Sequence, residues 1–250
     1  MKPTKPDYWV KTPDASSCVI VLHEVWGLVP HTSEVCKQVG KLGFAAHAPN
    51  LYRGHDAVLS PDNIQAAMES VWELTLEERR DKKKVAEVLE RKNADEGTRL
   101  VATLLYDQSF RDSLLSIATS AVEDAKRTYD QVVTLGFCMG GGLSLKTAAS
   151  TGSLTSAVSY YGEPPALEML KKVNVPVLVM YAEKDEIINS KVPSFVEDAL
   201  KLGVDVTLKT YPRTKHGFFN DSRKAVYDRK AAIDSWSLTK WFLRRTIGRH

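Results

Sequence analysis

The chain has 250 residues, a net charge of +3, 43% apolar residues and 26% charged residues. That length buries a substantial core in one α/β domain spanning 1–250, and the composition is ordinary for a globular protein in water. The small charge, with acids interspersed among the Lys and Arg, argues against nucleic-acid binding. No apolar run approaches the ~20 residues that span a bilayer, so no membrane partner is expected. The opening run Met1 to Pro6 lacks the apolar centre of a secretion signal, and three cysteines, an odd number, suit a reducing, cytoplasmic setting.

In chain order, Cys18-Val19-Ile20-Val21-Leu22 reads as a short buried strand, followed by the loop His23-Glu24-Val25-Trp26-Gly27-Leu28. The apolar face Val35, Cys36, Val39, Leu42 predicts a helix over 31–42, and a strand follows at 44–48. Residues about 61–105 read as a charged helical insertion. Ile64, Ala67, Met68, Val71 and Trp72 form a helical stripe there, and Glu77 to Asn93 carries only Val85, Val88 and Leu89 on one narrow face. Such a segment is either a solvated surface helix or a partial cap over the mouth of a site. A helix over 110–128 then leads to a strand at 131–135.

That strand runs into Gly136-Phe137-Cys138-Met139-Gly140, with a helix expected over 140–150. A strand, Gly-x-nucleophile-x-Gly and a helix together make a nucleophile elbow, here with cysteine at the tip. Glycine is needed on both sides because a Cβ would collide within so sharp a turn. The helix N-terminus beyond it favours thiolate over thiol.

Strands at 155–160 and 175–181 come next, and just past the second lies Asp185. A helix over 191–202 and a strand at 204–211 lead to the loop holding His216, and a long helix is expected over 223–246. Alternating strands and helices imply a mainly parallel sheet covered on both faces. Nucleophile, acid and histidine thus follow one another in the order Cys138, Asp185, His216, each beyond a strand end, where open α/β sheets bind ligands. Cysteine attacks an acyl carbon as thiolate, histidine takes its proton, and Asp185 would hold the imidazole in the useful tautomer. One oxyanion donor should be the backbone N–H of Met139, and the other should come from the loop after an early strand.

His-Glu-Val-Trp-Gly-Leu at 23–28, Gly-Phe-Cys-Met-Gly-Gly at 136–141, Ser159-Tyr160-Tyr161-Gly162 and His-Gly-Phe-Phe-Asn-Asp at 216–221 resemble the dienelactone hydrolase (carboxymethylenebutenolidase) family of α/β-hydrolases. The resemblance runs from residue 18 to the last helix. It implies that Glu24 sits beside the cysteine and takes part in its activation, and that Val25 is the second oxyanion donor. Members of the family use an arginine shortly after the histidine to grip a substrate carboxylate. Here Asn220 stands four residues after His216, which leaves Arg53, Arg213 and Arg223 as substitutes. The substrate contacts expected are Trp26, Arg53, Tyr161, Phe218 and Asn220.

The resemblance implies a hydrolase of small ester or lactone substrates working through a thioester, with no cofactor and no metal. The scattered histidines give no ligand spacing. Another cysteine-elbow class, resembling glutamine amidotransferases or thiol peptidases, is the rival enzyme. It usually shows His-x-Glu, or a histidine directly after the cysteine, whereas here Phe218 and Met139 hold those positions. The non-enzymatic alternative is a catalytically silent binding protein on the same scaffold.

Overall fold

The computed structural model describes residues 5–75 and 77–247. Residues 1–4 of the opening run, Leu76 of the insertion and His250 lie outside the described residues.

Seven strands form one sheet in the order β1-β3-β2-β4-β5-β6-β7. β2 (Ser17–Leu22), β3 (Ala45–Ala48), β4 (Gln131–Phe137), β5 (Ser156–Tyr160), β6 (Val177–Ala182) and β7 (Val206–Tyr211) run parallel. β1 (Tyr8–Val10) adds an antiparallel edge with Tyr8 opposite Ala48, a strand the sequence pattern does not announce. Every residue of β2 and β4 is buried, as their unbroken apolar runs require of strands covered on both faces. Alternation then divides the core. Cys18, Ile20 and Leu22 face one side with Val132, while Val19 and Val21 face the other with Val133 and Leu135.

α1 (Pro30–Gly40) and α10 (Arg229–Ile247) cover the second side, and α5 (Gln108–Lys126) covers the first. α6 (Met139–Ala148) follows the elbow and packs on β4 and β5. α7 (Leu167–Leu170) lies between β5 and β6 in the chain, and α8 (Glu186–Asn189) and α9 (Val192–Leu202) between β6 and β7. α10 starts at Arg229, six residues later than the pattern suggests. Turns hold the segment before it, with Arg223 N–H donating to the Asn220 carbonyl and Asp228 N–H to the Phe218 carbonyl. These bonds tie it to the histidine loop instead of to a helix.

The middle segment folds as α2 (Pro61–Ser70), α3 (Lys82–Arg91) and α4 (Glu96–Tyr106) with a short 3₁₀ turn at Glu78–Arg80. α3 is solvated except along Val85, Val88 and Leu89, but α2 and α4 bury Ile64, Ala67, Val101 and Ala102 in the core shared with β2. Of these, Ile64 and Val101 each contribute roughly 1.5–3 kcal/mol when fully buried. Trp72 falls off the expected stripe and is 63% exposed, because α2 ends at Ser70. The buried Arg79 guanidinium donates to the carbonyls of Val71, Trp72 and Leu74, satisfying acceptors the helix end leaves open. Among the described residues no helix is long and apolar enough to cross a membrane.

Candidate active site

Parallel strands put their carboxyl ends on one edge, and five neighbours, β2, β4, β5, β6 and β7, each deliver a piece of the candidate site there. The loop 23–28 follows β2, Cys138 follows β4, Tyr161 follows β5, Asp185 lies just past β6 and His216 just past β7. The chain order reverses between β2 and β4, since β3 lies on the far side of β2. Ligands in open α/β sheets bind at such a reversal.

Cys138 caps the N-terminus of α6 with φ 54° and ψ −118°, a conformation an L-residue holds only under tertiary constraint. The flanking glycines explain how the turn fits. A Cβ on Gly136 would lie 1.9 Å from the Gly140 carbonyl oxygen, and one on Gly140 would lie 2.2 Å from the Leu22 oxygen and 2.6 Å from that of His23. The elbow is therefore pressed directly against the start of the loop 23–28. Cys138 is the half-exposed cysteine, whereas burial pushes the Cys18 and Cys36 thiols up to about 12.

His216 Nδ1 meets Asp185 Oδ2 at 2.5 Å, and the same ring lies near enough to the Cys138 side chain to feel it electrostatically. With Nδ1 engaged by the acid, Nε2 is the nitrogen left for the sulfur. Burial alone would lower the His216 pKa. The electrostatic influence of Cys138, with the hydrogen bond and charge of Asp185, outweighs burial and holds it well above the ordinary value. Asp185 also caps α8, accepting the Ile188 N–H at 3.3 Å through Oδ1. Its role as a helix cap and its contact with histidine coexist, one oxygen for each.

Glu24 is buried and its two oxygens are both taken. Tyr161 Oη donates to Oε1 at 3.0 Å and Asn220 Nδ2 donates to Oε2 at 2.6 Å. Burial, reinforced by the electrostatic influence of Glu24 and Cys138 beside it, raises the Tyr161 pKa well above its usual value, so the phenol stays a donor. Among the described residues, nothing accepts the Val25 N–H.

The residues expected to touch substrate separate into three groups. Tyr161, Phe218 and Asn220 are buried behind the loops, Tyr161 lying 4.9 Å from the His216 ring and 5.4 Å from Phe218. Arg53 stays apart from the site and pairs with both oxygens of Asp7 at 3.0 and 3.1 Å. Trp26 is half-buried beneath the Arg223 guanidinium, 4.9 Å from its ring centre. Two residues have a supporting role that the sequence pattern does not announce. His23 and Tyr52 brace the loop 23–28, and the only signal for His23 was a histidine at the very end of a buried strand. Among the described residues no group of three His, Cys, Asp or Glu could hold a metal ion.

A mainly parallel sheet with a strained elbow after β4, and acid and histidine loops after β6 and β7, defines an α/β-hydrolase. The sequence profile of the Dienelactone hydrolase family matches residues 7–247, and the chain belongs to that family. It is 35% identical over 231 residues to a Saccharolobus solfataricus protein named "Putative carboxymethylenebutenolidase", covering 91% of this chain and 88% of that one. An Aquifex aeolicus protein of the same name is 29% identical over 244 residues, with 94% and 91% covered. Among solved structures, a dienelactone hydrolase-like promiscuous phosphotriesterase from metagenomic libraries shares the fold with a TM-score of 0.69. It is 19% identical, with 96% of this chain and 91% of that chain covered. The protein is accordingly a hydrolase of the carboxylic ester and lactone class.

Proposed function

We propose that the protein hydrolyses a small ester or lactone through Cys138, His216 and Asp185 by way of a thioester. The observation that carries this reading is the 2.5 Å contact of Asp185 with His216, whose ring stands beside Cys138 and whose pKa is raised. A histidine held protonated beside a cysteine is the signature of a thiolate–imidazolium pair.

The Cys138 thiolate attacks the acyl carbon, and the carbonyl π electrons move onto oxygen. Val25 N–H and Met139 N–H receive that oxyanion. As the intermediate collapses, the C–O bond to the leaving group breaks and His216 gives its proton to the departing oxygen. In a lactone that oxygen remains tethered to the acyl group. His216, now neutral, takes a proton from water, which attacks the thioester. The second collapse expels the Cys138 thiolate and releases the acid. Asp185 keeps Nδ1 protonated throughout and stabilises the imidazolium each time it forms. Glu24 supplies a fixed negative charge beside this machinery, held by Tyr161 and Asn220. The small-molecule substrate and a cytoplasmic location belong to the same reading.

The test is hydrolysis of p-nitrophenyl esters of increasing chain length beside a panel of enol-lactones, with iodoacetamide labelling of the active fraction. Cys138→Ala should abolish turnover and labelling. Cys18→Ala and Cys36→Ala should keep most activity and lose at most about 1–2 kcal/mol of stability. Full activity in Cys138→Ala would end the thiol reading.

A further inference from the structure

His23 lies at the end of β2, buried and with both ring nitrogens engaged. Nδ1 meets the Glu24 carbonyl oxygen at 2.7 Å, and the Leu51 N–H donates to Nε2 at 3.2 Å. A carbonyl only accepts and a backbone N–H only donates, so the ring is neutral with its proton on Nδ1. Burial agrees, pushing the His23 pKa down to about 4.

The Glu24 carbonyl belongs to the same peptide unit as the Val25 N–H. That unit is trans, so its C=O and N–H point in opposite directions. Whatever holds the Glu24 oxygen therefore aims the Val25 hydrogen. Two donors hold it, the His23 ring at 2.7 Å and the Gly27 N–H at 3.1 Å. The next carbonyl, that of Val25, accepts from Tyr52 Oη at 2.7 Å, and the same hydroxyl lies 3.6 Å from Met139 Sδ. The turn carrying Leu51 and Tyr52 is itself fixed, with Asn50 Oδ1 accepting the Tyr52 N–H at 3.0 Å. The carbonyls on both sides of the Val25 N–H are thus each pinned by a side chain, that of Glu24 by His23 and that of Val25 by Tyr52.

We propose that His23 is a positioning residue for the oxyanion hole, its Nδ1–H orienting the Glu24–Val25 peptide so that the Val25 N–H faces the acyl oxygen above Cys138. This rests on the hydrolase reading above and adds a residue that never touches substrate. A preorganised donor of this kind is worth about 10²–10³-fold in kcat. A peptide left free to turn loses much of that gain.

Two variants separate aim from mere support. His23→Asn keeps an N–H donor near the Nδ1 position, His23→Leu keeps none, and both lose the acceptor for Leu51. Their melting temperatures should therefore fall together. In His23→Leu, kcat should drop about a hundredfold with KM changed less than about threefold, while His23→Asn should stay within about fivefold of wild type. Alkylation of Cys138 by iodoacetamide, which needs no oxyanion donor, should proceed at nearly wild-type rate in both. Equal kcat losses in the two variants, or an alkylation rate that falls in step with kcat, would overturn the proposal and leave His23 purely structural. Failure of the thiol reading would look different: Cys138→Ala would remain active, and the Asn-versus-Leu difference would persist, because an oxyanion hole serves any nucleophile.

Discussion

Asp185 and His216 are joined by a 2.5 Å contact between Oδ2 and Nδ1, while the other oxygen of the same carboxylate caps α8. The acid is thereby immobilised by backbone, and the imidazole inherits its orientation from a helix end.

Replacing Asp185 with Asn keeps a capping oxygen but removes the charge. It should lower kcat by on the order of 10³–10⁴, the scale for losing the acid of such a triad. The Asp185 hydrogen bond and charge help to raise the His216 pKa, so their removal should move the basic limb of the pH–rate profile downward. The same linkage affects stability. A histidine whose folded pKa exceeds its unfolded value of about 6.5 adds stability that is complete below pH ~6.5 and lost as pH rises through the folded value. Wild type should lose melting temperature on the alkaline side more steeply than Asp185→Asn. Parallel melting curves would remove the coupling.

His23 shifts in the opposite direction. Its pKa is pushed down to about 4 by burial, with Asp56 acting against that shift and Lys5 with it. A folded-state pKa below the unfolded one gives stability that is present above pH ~6.5 and lost as pH falls toward about 4, on the order of 3 kcal/mol at 1.36 kcal/mol per unit. Protonation also places a hydrogen on Nε2, where the Leu51 N–H already points. Melting temperatures between pH 7 and 4 should fall further for wild type than for His23→Asn, which has no titrating ring. Equal slopes would mean that His23 titrates normally.

The elbow glycines offer a purely steric test. In Gly140→Ala the new Cβ would sit 2.2 Å from the Leu22 carbonyl oxygen, backbone against backbone, and the two elements must part. The expected cost exceeds roughly 4 kcal/mol, in the range kept for severe core disruption. Gly152→Ala, whose Cβ meets nothing within 4 Å, should be neutral or slightly stabilising. Urea midpoints of the two variants read this directly, and a mild Gly140→Ala would refute the close approach.

The site's frame could be read along the chain because its signals are local. An apolar run, two glycines around Cys138 and a helix identify the elbow, and Asp185 and His216 each follow a recognisable strand. Features set by long-range pairing were not legible. β1 is three residues long and is defined by its register with β3. Residues 223–228 read as the start of the last helix, yet the bond from Asp228 N–H to the Phe218 carbonyl folds them back and delays α10 to Arg229. Arg53 looked available, but Asp7, 46 positions earlier, claims it. Asn220 could not be matched to Glu24 from sequence either, because their 2.6 Å contact spans 196 positions.

That last contact decides the expected response to substrate charge. By the family resemblance Asn220 stands where an arginine would grip a carboxylate, and its amide donates to Glu24. Arg53 is committed to Asp7. A charged hydrogen bond of the missing kind contributes roughly 1.5–3 kcal/mol, or about ten- to a hundredfold in preference. The protein should therefore turn over a dienelactone and its methyl ester with kcat/KM values within about tenfold of each other, and Asn220→Arg should shift the ratio toward the acid. Arg223 is the arginine placed to spoil this outcome. It stacks on Trp26 beside the loop 23–28, and among the described residues no acidic side chain forms a salt bridge with it. A wild-type preference above about a thousandfold for the acid, abolished in Arg223→Ala, would show that the grip has moved to Arg223 and that the loss at position 220 has been compensated.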